Sequence, residues 1–309
     1  MKWNKILKKN LKPKISVIIP SYLHAHLISR AIDSVLNQTY TNWEIIVVDN
    51  FSDDGTNLIL KKYMSQNHNI AFYRIKNNGI IAKSRNYGIR KANGDFIAFL
   101  DADDWWTDDK LANSVNAINN GFDFIYHNAK VISPKKNIFN QKLFSSKPKS
   151  PLIINFLIHG VTIPNSSVVV RKSVLEDINY ISEETKLIGV EDQHTWLRIS
   201  IYTDSFCKID KILGFYWSDE FNNSKPSSKL YDKFIYLHTQ FYQHLSAKET
   251  IRAEAFLNYK LGRVAFQIGD YSRALNHYLK SIKSNLTHKY LYKAFIFIII
   301  SFYKKIKIF

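Results

Sequence analysis

The sequence predicts an α/β fold: a mostly parallel sheet flanked by helices, with a helical appendage after it. Three observations carry this reading. Short apolar runs alternate with stretches of helical period through the first hundred residues. The first, second and fourth of these runs each close on polar residues, which is how a ligand site is built along the carboxyl edge of an open sheet. Beyond about Tyr231 the pattern is helical to the last residue.

The elements follow in order. A strand over 15–20 is stopped by Pro20, which cannot donate to a ladder. A helix over 27–36 carries Leu27, Ile28, Ala31, Ile32, Val35 and Leu36 on one face. The second strand, 43–48, closes on Asp49-Asn50. Asp53-Asp54-Gly55-Thr56 is turn and capping chemistry that starts a helix reaching about Met64. A third strand is predicted over 70–75, a helix over 80–91 and a fourth strand over 95–100, opened by Gly94-Asp95. From Asp123 the pattern loosens. Residues 135–151 are rich in Lys, Ser, Pro and Asn and are expected to form a mobile loop. A strand over 166–171 and a helix over 191–201 complete the central part, the helix offering Trp196, Leu197 and Ile201 for packing.

The chain has 309 residues, 46% of them apolar, enough for a sizeable core in one large domain or two smaller ones. One cysteine, Cys207, rules out an intrachain disulfide and fits a reducing compartment. No signal peptide is expected, since the basic start leads into a strand and not into an apolar segment with a cleavage site. The net charge of +17 sits at the ends: six lysines and no acid in 1–14, and twelve Lys/Arg against three acids in 248–309. A near-neutral body between two basic ends fits attachment to an anionic membrane surface at least as well as nucleic acid. Surface charge for solubility, with no partner, is the plain alternative.

The most informative stretch is Asp101-Ala102-Asp103-Asp104-Trp105-Trp106, directly after the fourth strand. Three carboxylates in four positions repel one another, and a hard divalent cation between them relieves that repulsion while also holding phosphate oxygens. A surface turn or helix cap explains the same residues without a ligand.

The segments also line up with a known family. Pro13 to Tyr22, Ala31 to Thr39, Glu44 to Asp49, Asn50 to Thr56, Lys83 to Ile89 and Leu100 to Asp104 resemble, in register, the inverting family 2 glycosyltransferases. The resemblance covers roughly 13–220 and implies the GT-A nucleotide-sugar-binding fold. It implies that Pro20, Ser21 and Tyr22 line the nucleotide pocket and that Asp49 accepts the uracil imide proton. Arg85 is implied near the phosphates, and Asp101 and Ala102 beside the ribose and the sugar nucleotide. Asp103, with Asp101, would hold Mg²⁺ or Mn²⁺ on the diphosphate. Asn50 stands where the family often has a second Asp, which puts fine base contacts in doubt. In Gly189-Val190-Glu191-Asp192 the resemblance implies the catalytic acid pair, with Asp192 preferred over Glu191 as the base that deprotonates the acceptor. A helix start favours carboxylates for its own sake, so packing alone also accounts for the pair. His127, His159 and His194 are weaker candidates. Trp105 and Trp106 suit either sugar stacking or packing, and Asn165-Ser166-Ser167 suit an acceptor contact.

The processive relatives' Gln-x-x-Arg-Trp motif and long membrane spans are missing, so a single sugar per binding event is expected. The implied partners are a UDP-sugar and a polyprenyl-diphosphate-linked glycan acceptor, at the cytoplasmic face of a bacterial plasma membrane, with no nucleic acid. A sugar-nucleotide pyrophosphorylase or an idle scaffold are the competing readings; the first should show a Gly-rich loop where this chain has Pro20-Ser21-Tyr22. The domains expected are a basic segment 1–14, a catalytic domain 15–230 and a helical region 231–309. In that last region Leu261-Gly262, Ala265, Gly269, Tyr271, Ala274 and Tyr278 match one tetratricopeptide-like hairpin. The apolar run 294–302, flanked by Lys289, Lys293, Lys304, Lys305 and Lys307, is too short to span a bilayer, and suits either an interfacial helix or a buried one.

Overall fold

A computed structural model describes residues 12–133, 142–218, 227–284 and 288–306. Most of the basic segment 1–14, part of the 135–151 loop and Lys307 lie outside the described residues. The chain divides into two compact units.

The first unit is built on one sheet. Its opening elements are β1 (Ile15–Ser21), α1 (Ile28–Leu36), β2 (Trp43–Asp49), α2 (Thr56–Gln66), β3 (Ile70–Arg74), α3 (Ile81–Lys91) and β4 (Phe96–Phe99). Then come β5 (Trp105–Trp106), α4 (Lys110–Asn119), β6 (Phe124–Ile132) and β7 (Lys142–Leu143). The strand order is β3-β2-β1-β4-β8-β6-β9-β5, where β8 is Val169–Arg171 and β9 is Phe206–Trp217, with β7 beside β6. β1 to β4 pair in parallel; β4 meets β8 antiparallel, and the far half is mixed. Every residue of β1 and β2 is buried, as expected of central parallel strands covered on both faces. The core joins Val17, Ile19, Ile32, Val35, Val47 and Ala98 to Leu111 and Val115 of α4. α3 lies tight on β1: a Cβ on Gly88 would stand 2.7 Å from Ile18. Three residues earlier on the same helix is Arg85.

Two expectations change. The strand predicted over 166–171 begins as a 3-10 turn, Asn165–Ser167, whose serines bond locally and across to the neighbouring turn, so the strand is confined to β8. Part of the predicted loop is ordered as β7, where Lys142 and Leu143 pair with Lys130 and Ala129 of β6. α6 (Lys172–Asp177) follows β8.

The second unit is helical and gathers Pro148–Val161 and Glu184–Asp204 with the C-terminal helices. A single boundary at residue 230 therefore does not describe the packing. Its helices are α5 (Leu152–His159), α7 (Glu191–Tyr202), α8 (Ser228–Thr239), α9 (Ala247–Gln267), α10 (Tyr271–Lys283) and α11 (His288–Ile306). The reason is apolar and local: Gly160, at φ +83°, leaves only the space that the Phe256 ring of α9 fills, so α5 is closed onto α9. Lys233 of α8 donates to the carbonyl of Ile188, and Tyr236 to Glu184, which fixes the segment before α7 to α8. α9 starts with a capping box between Ser246 and Glu249. α10 folds back along α9, and a Cβ on Gly262 would stand 2.8 Å from the Tyr278 ring, so the small residue is what allows this approach. Among the described residues no helix is long and apolar enough to cross a membrane.

Candidate active site

Parallel pairing brings the carboxyl ends of β2, β1 and β4 side by side. Ser21 stands opposite Asp49 in register, and the Leu100 N–H donates to the Ile18 carbonyl at 3.1 Å, which sets the acidic turn next to the end of β1. Tyr22, just past that end, is 53% exposed and so is not a core residue. Leu23 and Phe51, in the loops after β1 and β2, both have left-handed backbones (φ +58° and +57°). Such strain in non-glycine residues collects where a loop is held for function.

Asp49 is fully buried. Its carboxylate accepts from the Ser52 N–H (2.8 Å) and Ser52 Oγ (2.5 Å), and Arg74 Nε of β3 lies 3.6 Å away. The residue thus shapes its own turn at the position where the resemblance puts the base.

The acidic turn gives its carboxylates different tasks. Asp101 Oδ1 accepts from the Arg85 guanidinium (2.7 Å) and from Asn165 Nδ2 (3.0 Å). Arg85 is almost wholly buried, so this pair is shielded and orients Asp101 firmly. Asp104 is buried and accepts from Ser166 Oγ (2.5 Å) and from the Trp217 N–H (2.8 Å). Burial, with the charges of Asp103 and Asp101 beside it, pushes the Asp104 carboxyl well above the usual carboxylate range. Left without a role by its sequence alone, Asp104 is the peg of the turn. Ala102 is buried between them, and Asp103 is partly exposed.

Arg30 of α1 is a residue that spacing did not single out. One of its guanidinium nitrogens donates to the Asp103 carbonyl at 2.8 Å, while the group lies 3.7 Å from the Trp105 ring centre and 4.7 Å from that of Trp217. Trp105 is also stacked on Phe215, with ring centres 5.0 Å apart. These contacts pack Trp105 into the turn. Trp106 is buried, its Nε1 donating to the Ser166 carbonyl at 2.7 Å. Asn165 and Ser166, expected near the acceptor, bond to Asp101 and Asp104 and so brace the acidic turn. His127 is buried, its ring driven neutral with a pKa of about 3, chiefly by burial. It sits behind β5 as a structural residue.

In the second unit Glu191 and Asp192 open α7, where the helix's partial positive charge favours acids. Glu191 is buried and accepts from the Gly189 N–H (2.6 Å); Asp192 is partly exposed and accepts from the Gln193 N–H (2.6 Å). Lys260 of α9 lies over the Phe234 ring at 3.8 Å and reaches Gln193 Oε1 at 3.3 Å. Burial lowers its pKa to about 7, against the opposing pull of Asp192. A cation held near the candidate base had no signal in the sequence, since it comes from another helix. His194 is buried, with its pKa lowered to about 4 chiefly by burial, and the carbonyl of His159 accepts from Tyr290 Oη at 2.7 Å.

Residues 16–178 match the family model described as glycosyl transferase family 2. The chain belongs to glycosyl transferase family 2. It is 42% identical over 102 residues to the putative teichuronic acid biosynthesis glycosyltransferase TuaG of Bacillus subtilis, covering 33% of this chain and 40% of that one. Over 186 residues it is 31% identical to WfgD of Escherichia coli, described as a UDP-Glc:alpha-D-GlcNAc-diphosphoundecaprenol beta-1,3-glucosyltransferase, covering 60% and 69%. The chain thus spans well under two thirds of TuaG and slightly more than two thirds of WfgD. In fold it is similar to S. aureus TarS 1–349 solved with UDP-GlcNAc, with a TM-score of 0.60, 20% identity and coverage of 88% and 89%.

The resemblance implies a divalent cation, Mg²⁺ or Mn²⁺. Among the described residues no cluster of three or more His, Cys, Asp or Glu could hold a metal by itself. Asp103 and Asp101 offer carboxylate oxygens, which suit Mg²⁺ or Mn²⁺, and such ions commonly take one or two carboxylates with the rest of the shell from phosphate and water. The turn fits a cation that arrives with a diphosphate.

Proposed function

We propose that this family 2 glycosyltransferase moves one hexose or N-acetylhexosamine from a UDP-sugar to a polyprenyl-diphosphate-linked glycan, with inversion at the anomeric carbon. The observation that carries the reading is the acidic turn itself. Asp101 is paired with Arg85, Asp104 is held inside by Ser166 and Trp217, and Asp103 is partly exposed on the same turn, at the carboxyl edge of the sheet where such folds bind nucleotides. Support also comes from WfgD, whose described acceptor is lipid-linked, and from TarS, solved with UDP-GlcNAc.

In this reading Pro20, Ser21 and Tyr22 line the nucleotide pocket, and Asp49 lies at its base end. Asp101, held by Arg85, takes the ribose side, and Asp103 is the main cation ligand with Asp101 second. A bound cation supplies positive charge that offsets what develops on the departing diphosphate. Asp192 takes the proton from the acceptor hydroxyl as that oxygen attacks the anomeric carbon. The bond to the diphosphate breaks with its electron pair, and attack from the opposite face inverts the centre. Glu191 holds the turn before α7 and thereby orients Asp192. The enzyme works at the cytoplasmic face of a bacterial plasma membrane, in surface polysaccharide or glycan assembly.

The test is a panel of UDP-, GDP- and dTDP-sugars scored by nucleotide release, with lipid-linked acceptor extract, in EDTA or in Mn²⁺. UDP release that needs both acceptor and cation is expected, and proton NMR of the product should show the opposite anomeric configuration from the donor. Release confined to a non-UDP donor, or unchanged in EDTA, would overturn the donor or the cation assignment respectively.

A further inference from the structure

α11 has two apolar faces, and among the described residues only one of them is packed. Inward, Ala294 and Ser301 are completely buried. Phe297 stacks on Tyr278 of α10 with ring centres 5.7 Å apart and meets the edge of Phe266 of α9 at 5.0 Å, with the Arg263 guanidinium 4.3 Å above it. These contacts fix the rotation of the helix. Outward lie Tyr292, Phe295, Ile296, Ile299, Phe302 and Tyr303, each between 49% and 69% exposed. At about 100° per residue the six fall within roughly a third of the circumference, opposite the packed face. Isolated exposed apolar residues need no explanation, but six on one stripe do.

The charge pattern selects the occupant. The helix carries four lysines and no acid. By the same rotation Lys293 and Lys305 lie toward the two margins of the stripe, and Lys304 and Lys305 are exposed at its end. Two copies paired through this face would oppose lysine to lysine. An anionic lipid surface instead takes the apolar stripe into its acyl boundary while the lysine stems reach up to the headgroups. Tyr292 and Tyr303 have the apolar ring and polar tip suited to that depth. The described helices include none able to cross the membrane, so the contact is one of lying along it.

We propose that the outer face of α11 is a docking face for anionic membrane, with the helix parallel to the bilayer. The inference deepens the reading of a membrane-held acceptor and rests on it for its purpose, while its test is separate. The full chain is floated with vesicles of phosphatidylcholine alone and of phosphatidylcholine with about 30 mol% phosphatidylglycerol, at low and high salt. Strong flotation with the anionic vesicles, weakened by salt, is expected. Phe295→Ser with Ile299→Ser, both on the exposed face, should lower vesicle affinity at least about tenfold, given the apolar area lost. Lys304→Glu with Lys305→Glu should abolish the preference for anionic vesicles and leave the melting temperature unchanged. Equal flotation of the Ser variant, or no flotation of the unaltered chain, would overturn the proposal. So would a dimer in sedimentation that the Ser variant dissolves, since the face would then belong to a second copy. Transfer to detergent-dispersed acceptor reads the catalytic proposal independently: it should persist in the Ser variant, and its absence from the unaltered chain would count against the catalytic reading and not against docking.

Discussion

Two acidic clusters, Asp101–Asp104 in the sheet unit and Glu191–Asp192 in the helical unit, divide labour in the same way by different means. Each has one buried acid that holds shape, Asp104 and Glu191, and a partly exposed acid to which the chemistry is assigned, Asp103 and Asp192. They differ in where the holding comes from. Glu191 is held by the N–H of Gly189, two residues away, whereas Asp104 is held by Ser166 and Trp217, the latter 113 positions away. The bond that Glu191 accepts is thus a local one. The acidic turn depends on strands that arrive much later in the chain, and its geometry is only as good as their pairing.

The comparison breaks most sharply at the partly exposed acids. Asp192→Asn should retain UDP-sugar affinity in calorimetry while kcat falls about 10²–10⁴-fold, the usual worth of a general base. Residual transfer near the unaltered rate would move the base elsewhere. Asp103→Ala should lower turnover about 10²–10³-fold. In addition, Mn²⁺ should no longer tighten UDP binding, although the melting temperature stays put; a cation effect that survives would return the ligand role to Asp101. Arg30→Met tests the bracing of the turn. It should cost about 10–100-fold in activity, the scale for residues that orient a ligand, with the larger part regained at raised Mn²⁺. A loss that Mn²⁺ does not repair would make Arg30 a packing residue only.

The smallest effect is a pH dependence. Because the folded state raises the Asp104 pKa, it holds a proton that the unfolded chain gives up. The stability so contributed is complete below about pH 4 and is lost as pH rises through the raised value, by at most about 1.4 kcal/mol per pH unit in that window. Urea titrations from acid to neutral pH should therefore show a falling contribution that Asp104→Asn removes. Parallel curves for the two proteins would mean that the peg titrates normally.

Much of the first unit is legible in the sequence because its signals are local. The strands and helices from β1 to β4 lie within a residue or two of where apolar runs and turn residues put them, as with Thr56 at the start of α2 and Lys91 at the end of α3. The order of Ser21, Asp49 and Asp101 along one edge follows from parallel pairing alone. What pattern does not report is which distant donor meets which acid. Nothing around Arg30 announces the Asp103 carbonyl, and a Ser-Ser pair before β8 looks the same whether it meets a ligand or Asp104. The grouping of 184–204 with the C-terminal helices was hidden for a similar reason: Glu184 and Ile188 find their partners, Tyr236 and Lys233, in α8. The tetratricopeptide-like spacing was informative where it specified contact, at Gly262 against Tyr278.

The bond from Trp217 to Asp104 has a consequence for how the chain is made. The stretch that matches the family ends at residue 178, yet the second donor to the peg lies in β9. A nascent chain that has emerged only as far as β8 has Ser166 in place but lacks the second donor to Asp104. Fragments cut at the end of the family match should therefore be poor reagents for measuring nucleotide affinity. During synthesis, the turn gains its second anchor only once β9 has been made.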